Sequence, residues 1–195
     1  MNTLRLTPED ARAAETAAAR LLLAGGVAII PTDTVYGIAA HPDHPAAVAR
    51  IRVIKGRPQA KPIALLAGDA ATVRRFGAVL SPAAERLAAA FWPGALTLVL
   101  PCGATDEGFR VPAHAWTRGL LRVTSANLSG AMPALSAAQA LRDVGLEADL
   151  VIDDGPSPGG AASTVVRATA EGWSILRPGA ISAAELGRAA GDVHA

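Results

Sequence analysis

The stretch from Gly25 to Pro62 decides the fold, and its first part reads Gly25-Gly-Val-Ala-Ile-Ile-Pro-Thr-Asp-Thr-Val-Tyr-Gly37. The apolar run Val27–Ile30 follows a glycine pair, which is typical of a buried strand rather than a helix. Because Pro31 has no N–H for a sheet ladder, we expect the strand to end there. Hydroxyl groups and a carboxylate follow at the strand end, where open α/β sheets bind ligands. They belong to Thr32, Asp33, Thr34 and Tyr36.

The second part of this stretch is cationic and reads Lys55-Gly-Arg-Pro-Gln-Ala-Lys-Pro62. Lys55, Arg57 and Lys61 share a short segment whose prolines limit its backbone freedom. Like charges at this spacing repel one another unless an anion lies among them. The segment therefore predicts a phosphate-binding wall facing the hydroxyl groups. The alternative interpretation is a solvated loop beside a satisfied threonine turn, and we favour the ligand site because the two motifs occur together.

Further polar groups occur at expected strand ends. Ser125 and Asn127 follow the predicted strand Leu121–Thr124, and a hydroxyl and an amide at this spacing can both contact a ligand. An isolated match of this kind would favour a turn that satisfies its own backbone. Arg110 and Arg177 lie close to prolines, and guanidinium groups bind carboxylates and phosphates through paired hydrogen bonds. Either arginine alone would be interpreted as a surface residue.

Composition limits the class of protein. The chain has 195 residues, 51% apolar and 4% aromatic, with a net charge of +1, so nothing in the totals demands a nucleic-acid or membrane partner. Its single cysteine, Cys102, excludes an internal disulfide. We find neither a signal peptide nor an apolar run of the ~18 residues that a membrane span needs, so a cytoplasmic location is expected. Pro42 separates His41 from His44, and no metal site is predicted.

Periodicity and capping residues predict alternating helices and strands. Helices are expected over Thr7–Leu23, Asp43–Ile54, Asp69–Val79, Ser81–Phe91, His114–Leu121 and Ser136–Val144, and after Ser182. Strands are expected over Val27–Ile30, Ile63–Ala67, Leu96–Leu100, Phe109–Val111, Leu121–Thr124, Leu150–Ile152, Ser163–Ala168 and Trp173–Leu176, with Pro101–Glu107 as a loop. We predict one α/β domain over 1–195, with a mixed twisted sheet flanked by helices and a concave ligand pocket.

The motifs resemble, in order and over nearly the whole chain, those of the threonylcarbamoyl-AMP synthases with the YrdC-like domain, in their short single-domain form. They are Pro31-Thr-Asp-Thr-Val-Tyr-Gly37, Lys55-Gly-Arg-Pro58, Phe91-Trp-Pro-Gly94, Arg110-Val-Pro112, Thr124-Ser-Ala-Asn-Leu-Ser-Gly130, Ser163-Thr-Val-Val166 and Leu176-Arg-Pro-Gly179. The connections around Thr105 and Leu121 are shorter here than the family usually has.

The resemblance implies a nucleotidyltransferase, an L-threonylcarbamoyladenylate synthase. It would form threonylcarbamoyl-AMP and pyrophosphate from L-threonine, bicarbonate or CO2, and ATP, for the N6-threonylcarbamoyladenosine modification of tRNA. The resemblance also implies Mg²⁺ carried by ATP and a downstream tRNA threonylcarbamoyl transferase complex as partner. The alternative function is a catalytically impaired paralogue that binds RNA weakly or binds nucleotide, and the shortened connections keep it open.

The resemblance also implies roles for individual residues. Catalysis and nucleotide binding would fall to Lys55, Arg57, Ser125 and Asn127, with Arg177 added on the nucleotide side. Threonine binding would fall to Thr32, Thr34, Tyr36, Lys61, Arg110, Thr124 and Ser163. None of these roles needs a nucleophilic side chain, because the carbamate of threonine would itself attack the α-phosphate.

Overall fold

The computed structural model describes residues 2–5, 7, 10–58, 61–114, 117 and 121–191. The chain divides into two compact units, which we call unit 1 (Met1–Ile63 with Leu120–Gly160) and unit 2 (Ala64–Gly119 with Ala161–Ala195). Both units combine helices with a mixed sheet, so the predicted α/β class is confirmed. The single domain over 1–195 stays a prediction.

The elements alternate along the chain. The strands are β1 (Asn2–Arg5), β2 (Ala28–Ile30), β3 (Gly37–Ala40), β4 (Ala64–Leu66), β5 (Leu96–Cys102), β6 (Thr105–Arg110), β7 (Leu121–Ser125), β8 (Leu150–Asp153), β9 (Thr164–Ala168) and β10 (Trp173–Arg177). The helices are α1 (Ala11–Leu23), α2 (Pro45–Lys55), α3 (Ala70–Arg75), α4 (Pro82–Phe91), α5 (Ala137–Val144) and α6 (Ala183–Ala190). Among the residues that the structure describes, no helix is long and apolar enough to cross a membrane.

In unit 1 the strand order is β1-β8-β2-β3-β7. β8 pairs in parallel with β1 and β2, whereas β3 pairs antiparallel with β2 and β7. The register opposes Gly37 to Ile30 on one side and to Ser125 on the other. The end of β2, the start of β3 and the end of β7 therefore lie at the same edge of this sheet. That edge is where the sequence predicts ligand contacts.

Helices cover both faces of this sheet. Ile29, Ile38 and Val151 are fully buried in one cluster with the inner sides of α2 and α5. Alternate strand residues point to opposite faces, and α1, which contacts β1, β2 and β8, covers the other face. On the inner side of α2, Ile51 and Ile54 are buried. This packing fixes the end of α2, and with it the position of Lys55.

In unit 2 the strand order is β4-β6-β5-β9-β10. β5 pairs in parallel with β9 and antiparallel with β6, and β9 and β10 form an antiparallel hairpin. Helices α4 and α6 pack together, and Arg86 donates to the Ala190 carbonyl oxygen at the end of α6. The helix starts expected at Ser81, Ser136 and Ser182 are confirmed, because each hydroxyl accepts a backbone N–H of the helix that follows. Glu185 completes a capping box with Ser182.

Some element predictions are wrong. Pro101–Glu107 is not a loop, because β5 continues to Cys102 and β6 begins at Thr105, with a turn at Gly103, where φ is 62°. Pro101 has no N–H to donate, and its carbonyl oxygen accepts from the Val79 N–H. The helix expected to reach Val79 ends at Arg75.

Two strands, β1 and β3, were not predicted. β3 reads Gly-Ile-Ala-Ala, a sequence of low strand preference, and pairing with β2 and β7 on both sides sets its conformation. Pro8 and Glu9 of the predicted first helix start lie outside the described residues, as do positions 115, 116 and 118–120 of the helix predicted over His114–Leu121.

An ion pair joins three elements of unit 1. The Asp149 carboxylate accepts the Val27 N–H at 2.8 Å and two guanidinium bonds from Arg50, at 2.7 and 3.0 Å. Arg50 lies on α2, Val27 precedes β2, and Asp149 precedes β8. The hydrogen bonds from Arg50 hold the pKa of Asp149 below its ordinary value, and the Val27 N–H adds to this effect against the opposing influence of burial.

We expect Asp149→Asn to lower the free energy of unfolding by about 1 kcal/mol at pH 7, a small value because both side chains are partly exposed. Since the folded-state pKa is lowered, the advantage of the wild type is complete above the unfolded pKa of about 4 and disappears as the pH falls through the folded pKa. Denaturant unfolding from pH 7 to pH 3 measures the difference. The control is Asp106→Asn, which breaks the more exposed pair with Arg167. An equal loss in both variants would contradict the role of Asp149.

Candidate functional site

The turn after β2 is built from its own hydroxyl groups. Thr32 donates to the Val35 carbonyl oxygen at 2.6 Å and accepts from the backbone N–H groups of Thr34 and Val35. The Thr32 and Thr34 hydroxyl oxygens are 3.1 Å apart, and both residues are buried. In this conformation Thr32 acts as a turn residue, as the alternative interpretation expects. A ligand contact through its hydroxyl would have to share these bonds.

Tyr36 ties this turn to the loop after β8. Its buried hydroxyl donates to the Gly155 carbonyl oxygen at 2.6 Å and accepts from the Asp154 N–H at 3.1 Å. Burial, more than the nearby carboxylates, raises the pKa of Tyr36 to about 12, so the phenol stays protonated at neutral pH. A Cβ at Gly159 would lie 2.5 Å from the Asp33 carbonyl oxygen, so only glycine permits this close approach. The loop and the turn are thus held as one piece.

Lys55 connects the two predicted anion-binding motifs. It is the last residue of α2 and only 2% exposed, and its ammonium donates to the carbonyl oxygens of Ser125 and Asn127. Burial, followed by the nearby charge of Arg57, lowers the pKa of Lys55 to about 8. An ammonium has three donors, and two of them are used by described residues, so within the described part of the chain one N–H is left for a further acceptor. Lys55 therefore lies inside the site and not on the exposed loop that follows it.

The Ser125–Asn127 turn is held from several sides. Ala126 donates its N–H to the Tyr36 carbonyl oxygen at 2.8 Å, and Ser129 donates its N–H to the Lys55 carbonyl oxygen at 2.9 Å. The Asn127 amide nitrogen donates to the carbonyl oxygens of Leu128 and Ala131, both at 2.8 Å. Within the described part of the chain, the buried Asn127 amide oxygen has no hydrogen-bond partner. The amide thus offers an acceptor here, whereas its donors serve the turn.

The arginines beside Lys55 shape the loop that follows. Arg57 donates to the Pro62 carbonyl oxygen at 2.8 Å, and Arg52 donates to the Lys61 carbonyl oxygen at 2.7 Å. The side chain of Lys61 is exposed. Thr124, the remaining predicted residue of unit 1, is half-buried on β7 opposite Ile38. Stiffness of this segment comes from guanidinium bonds to backbone carbonyls as well as from its prolines.

Unit 2 holds the remaining predicted residues. Arg177 donates to the Ser163 carbonyl oxygen at 2.7 Å and to its hydroxyl oxygen at 3.2 Å, and that hydroxyl lies 2.9 Å from the Thr97 hydroxyl. Burial lowers the pKa of Arg177, although a guanidinium still remains charged at neutral pH. Arg110 is 6% exposed and donates from Nε to the Gly94 carbonyl oxygen at 2.9 Å. Ser163 and Arg177 are brought into direct contact, which sequence spacing did not reveal.

Thr97 and Gly159 are the residues that sequence reasoning missed. Thr97 has the pattern of an ordinary strand residue, and its polar contact appears only when β5 pairs with β9. The position of Gly159 in a Gly/Pro-rich loop gave a signal for a turn but none for the partner that it approaches. Among the described residues, no group of three or more His, Cys, Asp or Glu could hold a metal ion.

The chemical capacity of these clusters is anion binding without a nucleophile. Unit 1 presents a buried ammonium on a rigid turn, and unit 2 presents a guanidinium beside a hydroxyl. Fixed donors of this kind stabilise negative charge that develops on phosphate or carboxylate oxygens.

Comparisons with known proteins identify the family. Residues 20–179 match the Sua5/YciO/YrdC family model, described by the words telomere recombination. A Mycobacterium tuberculosis protein provisionally named a threonylcarbamoyl-AMP synthase is 35% identical over 200 residues, covering 94% of this chain and 92% of the relative. The threonylcarbamoyl-AMP synthase of Bacillus subtilis is 31% identical over 210 residues, covering 98% of this chain and 60% of the relative.

Solved structures extend the likeness. P. abyssi Sua5 complexed with L-threonine has a TM-score of 0.88 at 29% identity, covering 98% of this chain and 61% of that chain. E. coli YciO has the same fold, with a TM-score of 0.80 at 22% identity, covering 91% of this chain and 95% of that chain. The chain thus spans about three fifths of the Bacillus and Pyrococcus proteins. The resemblance found in the motifs is confirmed, and the chain belongs to the Sua5/YciO/YrdC family, in which its relatives are named threonylcarbamoyl-AMP synthases.

Proposed function

We propose that this protein is an L-threonylcarbamoyladenylate synthase, which joins L-threonine, bicarbonate or CO2, and ATP. The observation that carries the proposal is the contact of the Lys55 ammonium with the carbonyl oxygens of Ser125 and Asn127. This contact unites the Lys-x-Arg and Ser-x-Asn motifs in one buried cluster of unit 1. The names of the relatives, and the L-threonine bound to Sua5, support the choice of substrates.

In the proposed reaction, the threonine amine first adds to CO2 and loses a proton, which gives a carbamate. A carbamate oxygen then bonds to the α-phosphorus of ATP while the bond from that phosphorus to the bridging oxygen breaks, and pyrophosphate leaves. Lys55 and Arg57 would stabilise the charge that builds on the phosphoryl oxygens, Lys55 through its remaining N–H. Mg²⁺ belongs to the ATP phosphates in this proposal and supplies neutralising charge there.

Residue roles follow the same division. In unit 1 we assign nucleotide contacts to Lys55, Arg57 and the Ser125–Asn127 turn, and threonine contacts to Thr32, Thr34, Tyr36, Lys61 and Thr124. In unit 2 we assign a nucleotide contact to Arg177, and threonine contacts to Arg110 and Ser163. Tyr36 and Thr32 would act mainly through the turn that they build, because their hydroxyl groups bond to the backbone. The labile mixed anhydride would pass to a separate transferase acting on tRNA.

RNA binding without turnover is the weaker candidate. Lys55 and Arg110 are 2% and 6% exposed, so these cations do not form a basic surface for a phosphate backbone. Tyr36 has no exposed surface on which a base could stack. Both features favour a small, enclosed ligand over a nucleic-acid strand.

The direct test incubates the protein with ATP, Mg²⁺, bicarbonate and L-threonine and separates the nucleotides promptly at low temperature. We expect pyrophosphate and an AMP adduct that form only when threonine and bicarbonate are both present, because the carbamate is the nucleophile. An adduct without bicarbonate would indicate plain amino-acid adenylation. Absence of turnover with intact ATP binding would overturn the proposal in favour of a binding module.

Arg57→Ala tests the transition-state role. We expect kcat to fall by ~10²–10³, as for a lost donor to developing negative charge. Because Arg57 also bonds to the loop carbonyls, Arg57→Lys is the comparison that keeps a charge while losing the paired geometry. Arg167→Ala, at an exposed ion pair of unit 2, is the matched control. Pyrophosphate release at the wild-type rate by Arg57→Ala would refute the assignment.

The lowered pKa of Lys55 predicts a pH dependence of ATP binding. The charged ammonium is the binding form, so affinity should be full below pH about 8 and should weaken as the pH rises through the Lys55 pKa. Calorimetric titration of ATP from pH 7 to pH 9.5 measures this change. In Arg57→Ala the midpoint should move to higher pH, because a repulsive charge is gone. Constant wild-type affinity up to pH 9.5 would contradict the prediction.

A further inference from the structure

Thr97 is a buried hydroxyl in unit 2 to which the proposed function gives no role. It lies on β5, is 6% exposed, and its Oγ1 lies 2.9 Å from the Ser163 Oγ. Among the described residues, the Thr97 hydroxyl has one hydrogen-bond partner, the Ser163 hydroxyl. A buried hydroxyl hydrogen without an acceptor costs free energy, so the direction of this bond matters.

The direction follows from the donors around Ser163. The Arg177 guanidinium can only donate, so the Ser163 Oγ accepts from it at 3.2 Å. If Ser163 also donated to Thr97, the Thr97 hydrogen would be buried without an acceptor. If Thr97 donates instead, the Ser163 Oγ accepts two bonds and every buried hydrogen of Thr97 is satisfied. The hydrogen of Ser163 is then left to donate to a further group.

The backbone of Ser163 lies in close contact with the turn after β10. A Cβ at Gly179 would lie 2.5 Å from the Ala162 carbonyl oxygen and from the Ser163 carbonyl carbon, so the turn after β10 rests directly on this segment. The N–H of Ala180 also donates to the Ala162 carbonyl oxygen at 3.0 Å. These contacts hold the backbone around Ser163 close to the turn after β10, and Arg177 donates to the Ser163 carbonyl oxygen.

We propose that Thr97 is a positioning residue, which donates to Ser163 and so directs the Ser163 hydroxyl hydrogen toward the carboxylate of L-threonine. The inference rests on the proposed function for the identity of the ligand. A hydroxyl donor beside a guanidinium fits an anionic oxygen, because the nearby positive charge favours a negatively charged acceptor, while Arg177 itself stays assigned to the nucleotide. Thr97 itself touches no substrate in this arrangement and acts through Ser163.

The test compares the binding of L-threonine and L-threoninamide, which lacks the carboxylate, by calorimetry in the presence of ATP. We expect the wild type to bind threonine more tightly than threoninamide. In Thr97→Val the ratio of the two affinities should fall by about fivefold to tenfold, since one directed charge-assisted bond is weakened. Thr97→Ser keeps the hydroxyl and should restore the preference. Ser163→Ala should lose it, and adding Thr97→Val to that variant should cause no further loss.

Controls separate the outcomes. Thr105→Val makes the same change at an exposed position of β6 and should leave the preference intact. Melting temperatures show whether Thr97→Val is folded. If this variant is not folded, the preference for threonine measured in Ser163→Ala and in Thr97→Ser decides whether the hydroxyl pair positions the carboxylate. A wild-type preference retained in Thr97→Val would overturn the positioning role alone. A wild type that binds neither compound would overturn the proposed function and this inference together.

Discussion

The structure of unit 1 depends on placing one charged amine inside the protein. Burying an ammonium is costly unless its donors are satisfied, and Lys55 meets this requirement with the carbonyl oxygens of Ser125 and Asn127. The return bond from the Ser129 N–H to the Lys55 carbonyl oxygen fixes the end of α2 against the same turn. Helix end, turn and charge therefore hold one another. A loss of any one would leave a buried polar group unpaired.

The hydroxyl groups of Thr32 and Tyr36 are likewise satisfied by hydrogen bonds within the protein. Thr32 closes its own turn, and Tyr36 holds the loop at Gly155, so residues with the appearance of substrate contacts also build the walls of the site. In unit 2, Arg177 is likewise held by neutral oxygens of Ser163 and not by a carboxylate. A cation without a neighbouring carboxylate keeps its full attraction for an anionic ligand, which is why neutral partners suit a site for phosphate or carboxylate.

Local signals in the sequence predicted much of the fold. Ser81, Ser136 and Ser182 mark helix starts through hydroxyl caps, which depend on residues within one turn. The apolar run between the glycine pair and Pro31 predicted β2, because glycine and proline limit a strand through the backbone at their own positions. β3 was not predicted because its small residues carry little strand preference, and one of its two pairing partners, β7, lies far away in the chain. The loop predicted at Thr105 was wrong because β6 pairs with the adjacent strand β5, and this pairing imposes the strand conformation.

For the site, the sequence by itself determined which chemical groups are present and in which motifs they occur. The tertiary structure decided what each group does. Lys55 is a buried cation that donates to the Asn127 carbonyl oxygen, and it does not lie on the loop. Tyr36 donates to the Gly155 carbonyl oxygen and supports the Asp153–Gly155 turn, and the Thr97 hydroxyl pairs with that of Ser163. The physical reason is that a hydrogen bond is fixed by distance and direction between atoms, and these atoms come from strands and turns that are 66 to 119 residues apart in the chain.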